Sequence, residues 1–268
     1  MHTSPQTNSQ LSPQANSQSN PQISPQTTPT RQDRLESNAA LSPKSVQVAK
    51  RILSLNDKKA NELRAFYKAH NLYVINLMSS PGSGKTTFLE SLSAFDGFRF
   101  CVLEGDLQTN RDAERLQAKG VSAYQITTGE ACHLEAAMVE QGLEELGKCC
   151  DVGSYEYLII ENVGNLVCPA SYDLGAALNV VFLSTPEGDD KILKYPSMFL
   201  CADAVVVSKA DLCEVFGFSI ERVREDLARL KKDVPLFLLN SRDSASVGAI
   251  KEFFVRCRDE GFYSAHIF

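Results

Sequence analysis

The sequence predicts an α/β protein with a doubly wound, mostly parallel sheet and helices on both faces. Three observations lead there. Short apolar runs recur at 72–78, 98–103, 121–125, 157–160, 178–183, 204–207 and 236–239. Several are apolar throughout, as parallel strands covered on both faces tend to be. Amphipathic stretches separate them, and that alternation gives parallel crossovers. Finally, the first run leads into SSPGSGKTT at 79–87, the strand–turn–helix setting of a loop that cradles phosphate.

Along the chain, residues 1–30 carry no Asp, Glu, Lys or Arg and are almost all Ser, Pro, Gln, Thr and Asn. Pro5-Gln6, Pro13-Gln14 and Pro21-Gln22 mark a degenerate repeat of eight. Such a stretch holds too little apolar surface to offset its ordering entropy, so 1–40 reads as a disordered tail. Residues 41–71 turn helical, with Val46, Ile52/Leu53, Leu63 and Phe66/Tyr67 at near-helical spacing, and are expected to pack on the domain at 72–268. The clearest helix within that domain puts Ile220, Val223, Leu227 and Leu230 inward. Ser219 is its cap and Glu221 lies in its first turn.

Composition narrows the function classes. The 268 residues are 43% hydrophobic and 22% charged, with a net charge of −6 and no basic run, which argues against nucleic acid as the main partner. No apolar stretch approaches the roughly 20 residues a membrane helix needs, and the N-terminus has no secretory apolar core. Eight cysteines beside a phosphate loop point to a reducing cytoplasm.

The loop makes the domain a P-loop NTPase. Gly82, Ser83, Gly84 and Thr87 belong to the cradle, Lys85 would reach the β/γ oxygens, and the Thr86 hydroxyl would sit on Mg²⁺. Ser79 stands where GxxxxGK[ST] asks for Gly. Three later segments follow the order of a GTPase. Glu104-Gly105-Asp106 offers Asp106 to Mg²⁺, directly or through water. Glu161-Asn162-Val163-Gly164 resembles DxxG, with Glu161 orienting Mg²⁺ or the attacking water and the Gly164 N–H meeting the γ-phosphate. Lys85, Thr86, Asp106 and Glu161 are the candidate catalytic set. Ser208-Lys209-Ala210-Asp211 resembles NKxD. Asp211 would accept from guanine N1–H and the N2 amine, and Lys209 would lay its stem along the base. Ser in place of Asn forfeits a bond worth about 1 kcal/mol.

Cys132 and His133 sit at a loop-to-helix junction, with the helix expected to begin near His133. Taken alone, the pair reads equally well as packing. Cys168, four positions beyond Gly164, turns the reading toward a soft site for Ni²⁺ or Zn²⁺. Cys101, Cys149, Cys150, Cys201, Cys213 and Cys257 read as structural or incidental.

Residues 72–268 and the segment before them resemble the hydrogenase nickel-incorporation GTPases, the HypB family. The resemblance is carried by SSPGSGKTT at 79–87, EGDLQTNRDAERL at 104–116, CHLEAAM at 132–138, ENVGNLVCPASYDLG at 161–175 and PEGDDKILKYPSMF at 186–199. It implies a slow GTPase cycling between GTP and GDP that helps deliver Ni²⁺ to the precursor of a [NiFe]-hydrogenase large subunit. It also implies a GTP-dependent homodimer, a nickel-chaperone partner, and a Ni²⁺/Zn²⁺ site at Cys132, His133 and Cys168 near the subunit interface. The N-terminal cysteine motif and histidine-rich stretch of some members are absent here. Rival readings are a urease-type nickel accessory GTPase, whose Cys-Pro-His motif differs from the adjacent Cys132-His133, a P-loop small-molecule kinase, and a non-hydrolysing scaffold.

Overall fold

The computed structural model describes residues 42–107 and 110–264. The expected tail at 1–40 lies outside the described residues. Seven strands form one sheet: β1 (Tyr73–Ser79), β2 (Phe100–Asp106), β3 (Ser122–Thr127), β4 (Tyr157–Glu161), β5 (Leu178–Ser184), β6 (Ala204–Ser208) and β7 (Leu236–Leu239). Their order is β3-β2-β4-β1-β5-β6-β7, and every pairing is parallel. The chain starts at the centre of the sheet and winds outward in both directions. Ligands then sit at the carboxyl ends of the central strands.

The strand bounds differ from the apolar runs in one direction. β2 and β4 continue through Glu104-Gly105-Asp106 and Glu161, and β5 and β6 end on Ser184 and Ser208. Apolarity stops where the strands deliver polar groups to the site, although the ladder does not. Phe98 falls outside β2 and stacks on Tyr157 with ring centroids 4.2 Å apart.

Strand alternation splits the core. Tyr73, Ile75 and Leu77 face a cluster with Phe88, Leu89 and Leu92 of α2 (Lys85–Leu92), Leu116 of α3 (Arg111–Gln117) and Phe254 of α9 (Ser244–Asp259). Val74 faces the other side, where α1 (Pro43–Ala69) and α4 (Ala136–Cys149) pack. A third cluster joins Met78 and Val181 to Phe199 and Val223. These lie on α6 (Pro196–Cys201), which follows the short α5 (Lys191–Lys194), and on α8 (Ile220–Leu230), which follows α7 (Cys213–Phe216). In α8 the Ser219 hydroxyl accepts from Arg222 N–H, while Val223 and Leu227 are buried.

α1 buries Leu53, Asn56, Ala60, Leu63 and Tyr67, a spacing of three and four residues. Of the pairs Ile52/Leu53 and Phe66/Tyr67, Leu53 and Tyr67 turn inward while Ile52 and Phe66 are exposed. Asn56 takes an inward position because both halves of its amide find partners. Its Nδ2 donates to Asp173 O at 2.8 Å, and its Oδ1 accepts Ala136 N–H at 2.9 Å. That second bond caps α4 from another helix, so α4 begins at Ala136 and not near His133. Among the described residues, no helix is long and apolar enough to cross a membrane.

Candidate functional site

Two glycines shape the phosphate loop. Gly82 and Gly84 hold φ of +69° and +93°, a region open to glycine at little cost. Ser79 is not among the positive-φ residues, so that position needs no glycine, and its side chain is used. Ser79 Oγ accepts from Lys85 Nζ at 2.7 Å and from Ser83 Oγ at 2.6 Å. Lys85 and Thr86 are buried, and α2 starts at Lys85. The first-turn N–H groups of α2 therefore face the cradle.

These groups line a cleft of about 460 Å³ whose walls include Asp106, Glu161 and Gly164. Thr86 Oγ1 donates to Glu161 Oε1 at 2.9 Å, and Lys85 Nζ lies 3.9 Å from the same oxygen. Glu104 sits beside Glu161 in register on the neighbouring strand. With Asp112 from the first turn of α3 they bring three carboxylates within 4.8 Å. Asp106 is not in this group. Its Oδ1 accepts Leu107 N–H at 2.7 Å at the cleft wall. Glu104 Oε2 and Glu161 Oε2 are buried without a hydrogen-bond partner, which is costly unless a cation arrives. Two orphaned oxygens beside a threonine hydroxyl fit Mg²⁺. Thr86 and Glu161 would hold it, with Glu104 and Asp106 within the same cleft.

Burial, and next the nearby Glu161, push the Glu104 carboxyl up to about 8. Burial also raises Glu161, opposed by Lys85 and the Thr86 hydroxyl. In the unfolded chain Glu104 titrates at about 4.3. Between those values the native state binds the extra proton, so stability of the metal-free protein falls as pH rises from about 4.3 through about 8. Glu104→Gln is expected to flatten that fall and to be the more stable protein at about pH 9. Urea midpoints across pH in a chelating buffer check it.

Gly164 approaches the loop so closely that a Cβ would lie 2.7 Å from Pro81 Cα. No side chain fits there. A second cleft, about 340 Å³, adjoins the first through Ser83, Gly84, Thr87 and Lys209 and is lined further by Ser208, Asp211, Asn240, Ser241 and Arg242. Lys209 adopts φ +55°, unusual for a residue carrying Cβ, and its amine donates to Gly82 O at 2.8 Å. Ser208, in the place usually held by Asn, still reaches the phosphate loop, for its Oγ donates to Ser83 O at 2.6 Å. The two sequence motifs are therefore tied to each other by side-chain bonds. Lys191 donates to Glu187 O and pairs with Asp190 of its own chain.

The third cluster joins Cys132, His133 and Cys168, whose ligand atoms all lie within 4.8 Å. The two sulfurs are 3.0 Å apart. His133 stacks on Tyr172 with ring centroids 3.9 Å apart, and both its ring nitrogens are buried without a hydrogen-bond partner. Glu135 Oε1 stands 3.6 Å from Nε2, beyond hydrogen-bond range. Burial lowers the His133 pKa, which favours the neutral ring with its lone pair free. Burial and the Cys132 contact raise the Cys168 thiol. A soft cation suits these donors; two metal–sulfur bonds of about 2.3 Å at a tetrahedral angle set the sulfurs roughly 3.8 Å apart, so binding would spread this pair. Among the described residues three protein donors converge here, one fewer than a closed tetrahedral site uses.

Sequence reasoning missed Glu104, Asp112 and the Asn240–Arg242 wall. The register of β2 against β4 is a long-range fact, although Glu104 stood two places before Asp106. Asn240 to Arg242 follow the last strand at its carboxyl end, which was the available signal. Arg115, also on the first cleft, is held by Glu90 at 2.7 Å and Asp112 at 2.8 Å.

Residues 73–237 match the model of the CobW/HypB/UreG nucleotide-binding domain. The hydrogenase/urease maturation factor HypB of Helicobacter hepaticus is 65% identical over 239 residues, covering 89% of this chain and 99% of that protein. A crystal structure of HypB from Helicobacter pylori in complex with nickel superposes with a TM-score of 0.78 at 58% identity, covering 80% of this chain and 99% of that one. HypB from Archaeoglobus fulgidus gives 0.69 at 29% identity, covering 76% and 99%.

Proposed function

Because the chain belongs to the CobW/HypB/UreG family, among its HypB hydrogenase maturation factors, we propose that it is a GTP-hydrolysing nickel metallochaperone for [NiFe]-hydrogenase. One observation carries the reading. A single segment joins Glu161, bonded to Thr86 of the phosphate loop, to Cys168, 3.0 Å from Cys132. Nickel is the cargo. Two thiols and an imidazole suit Ni²⁺ or Zn²⁺ and leave room for an incoming ligand.

In this reading Lys85 and the α2 N-terminus hold the phosphates, and Gly164 offers its N–H where no side chain fits. Mg²⁺ would neutralise phosphate charge at Thr86 and Glu161. Asp211 selects guanine while Lys209 and Ser208 brace the base motif against the loop. Turnover is slow, since Arg115 on the cleft is already engaged by Glu90 and Asp112. GTP-dependent pairing of two copies is part of the proposal. Exposed Leu107 at the cleft and Val167 beside Cys168 give apolar surface for it. A nickel chaperone and the hydrogenase large-subunit precursor would be the other partners. Urease is a second client reading, favoured by the joint hydrogenase/urease naming of the Helicobacter relatives.

Competition of GTP against ATP, with and without Ni²⁺, while following assembly by light scattering, tests the proposal. GTP is expected to win by about 100-fold or more, given an aspartate that pairs with two guanine donors and meets an acceptor on adenine. It should also promote the dimer. Equal binding of ATP would remove the guanine assignment.

A further inference from the structure

Two asparagines lie between the nucleotide carboxylate and the metal thiol, and the roles assigned above leave their side chains unused. Asn162 N–H donates to Leu77 O at 2.9 Å, and Asn165 N–H to Ser79 O at 2.7 Å. Leu77 and Ser79 end β1, the strand that runs into the phosphate loop. Their side chains bond elsewhere. Asn162 Oδ1 accepts Val163 N–H at 2.9 Å and Leu134 N–H at 3.3 Å. Leu134 directly follows His133 and packs so tightly over Gly105 of β2 that a Cβ there would lie 2.9 Å from its Cδ1. Asn165 Oδ1 accepts Val167 N–H at 2.7 Å and Cys168 N–H at 3.4 Å. One asparagine thus holds the Cys132–His133 arm and the other holds the Cys168 arm. Both are tied by backbone bonds to the strand of the phosphate loop.

Asn162 is 1% exposed, and its Nδ2 donates to Asn76 Oδ1 at 3.2 Å. Asn76 in turn donates to Asn179 Oδ1 at 3.0 Å. A row of buried amides across a sheet covered on both faces is costly unless every member is paired. Apolar side chains would serve packing there equally well. What the amide adds at 162 is an acceptor for the backbone of the metal loop.

We propose that Asn162 and Asn165 are positioning residues that pass the nucleotide state to the two halves of the thiolate–imidazole site. The proposal rests on the nickel reading above. A γ-phosphate that moves Gly164 relative to Pro81 displaces the backbone on either side of it. Asn165 converts that displacement into a shift of Cys168, and Asn162 anchors the opposing ligands. Coupling of this kind exists only as a difference in metal affinity between two nucleotide states.

Nickel affinity of the full-length chain is read by thiolate-to-nickel charge-transfer absorption, with GDP and with a non-hydrolysable GTP analogue. The parent is expected to differ between them by about fivefold or more. Asn165→Ala is expected to bring that ratio within about twofold of unity, with both nucleotides bound as tightly as before. Asn165→Asp keeps an oxygen for the Val167 and Cys168 N–H groups and is expected to keep the parental ratio. Asn162→Ala is expected to act like Asn165→Ala; its unfolding temperature is measured first, because buried groups lose partners, and the two Asn165 variants decide the outcome. Equal nickel weakening in both nucleotide states with the ratio intact would make Asn165 a structural prop and overturn the proposal. A parental ratio of one would instead remove the nickel switch itself, and this proposal with it.

Discussion

Cys168→Ala is expected to weaken nickel binding by about 100-fold or more and to leave guanine-nucleotide binding within about twofold of the parent. Cys168 lies 3.0 Å from Cys132 and shares a 4.8 Å cluster with His133. Its loss leaves one thiolate and one imidazole. Changes one shell further out already cost 10–100-fold at metal sites, so removing a direct soft donor falls at or beyond the top of that range. Cys168→Ser keeps the volume but offers a hard oxygen, so it should bind weakly and lose part of the charge-transfer intensity. Cys149→Ala is the control, since Cys149 is exposed and outside the cluster. Competition against a chromophoric chelator measures the metal, and a fluorescent guanine nucleotide measures the other ligand. Parental nickel affinity in Cys168→Ala would take Cys168 out of the site.

The adjacency behind that prediction was legible in part, and the limits have physical causes. Gly82, Gly84, Lys85 and Thr86 announce a phosphate loop because each backbone or side-chain role demands its residue type. Cys132-His133 and Cys168 announced soft donors, but 36 positions separate the sulfurs. Only the parallel register of β2, β3 and β4 closes that gap. The same register sets Glu104 beside Glu161, which no local pattern encodes. Apolarity marked the strands well at their buried starts and poorly at their functional ends, where Glu104, Glu161 and Ser208 are strand residues. α1 shows the converse failure. Its inward face includes Asn56, whose two bonds to Asp173 and Ala136 make it a core residue, while apolar Ile52 and Phe66 stay exposed. Hydrophobic spacing finds the helix but cannot rank faces when a polar side chain is fully paired inside.

Glu161→Gln is expected to lower GTP turnover by about 100- to 1000-fold, the scale seen when one preorganised electrostatic partner is removed from a transition state. Glutamine keeps the volume and can still accept the Thr86 hydroxyl, but it carries no charge for a cation at Oε2, the oxygen left without a partner. GDP affinity measured in a chelator should stay near the parental value, because the loop amides and the base cleft are untouched and Lys85 keeps its bond to Ser79. GTP affinity in Mg²⁺ should fall. This split separates a lost electrostatic role from a collapsed loop, which would weaken both nucleotides together. Asp106→Asn makes the comparison sharper. Sequence order placed Asp106 on Mg²⁺, but its carboxylate caps Leu107 N–H and lies outside the three-carboxylate group. A contact made through water predicts a loss of about tenfold there. If the two variants exchanged magnitudes, the charge that matters would lie at the end of β2 and not β4, and Glu161 would be left as the residue that orients Thr86.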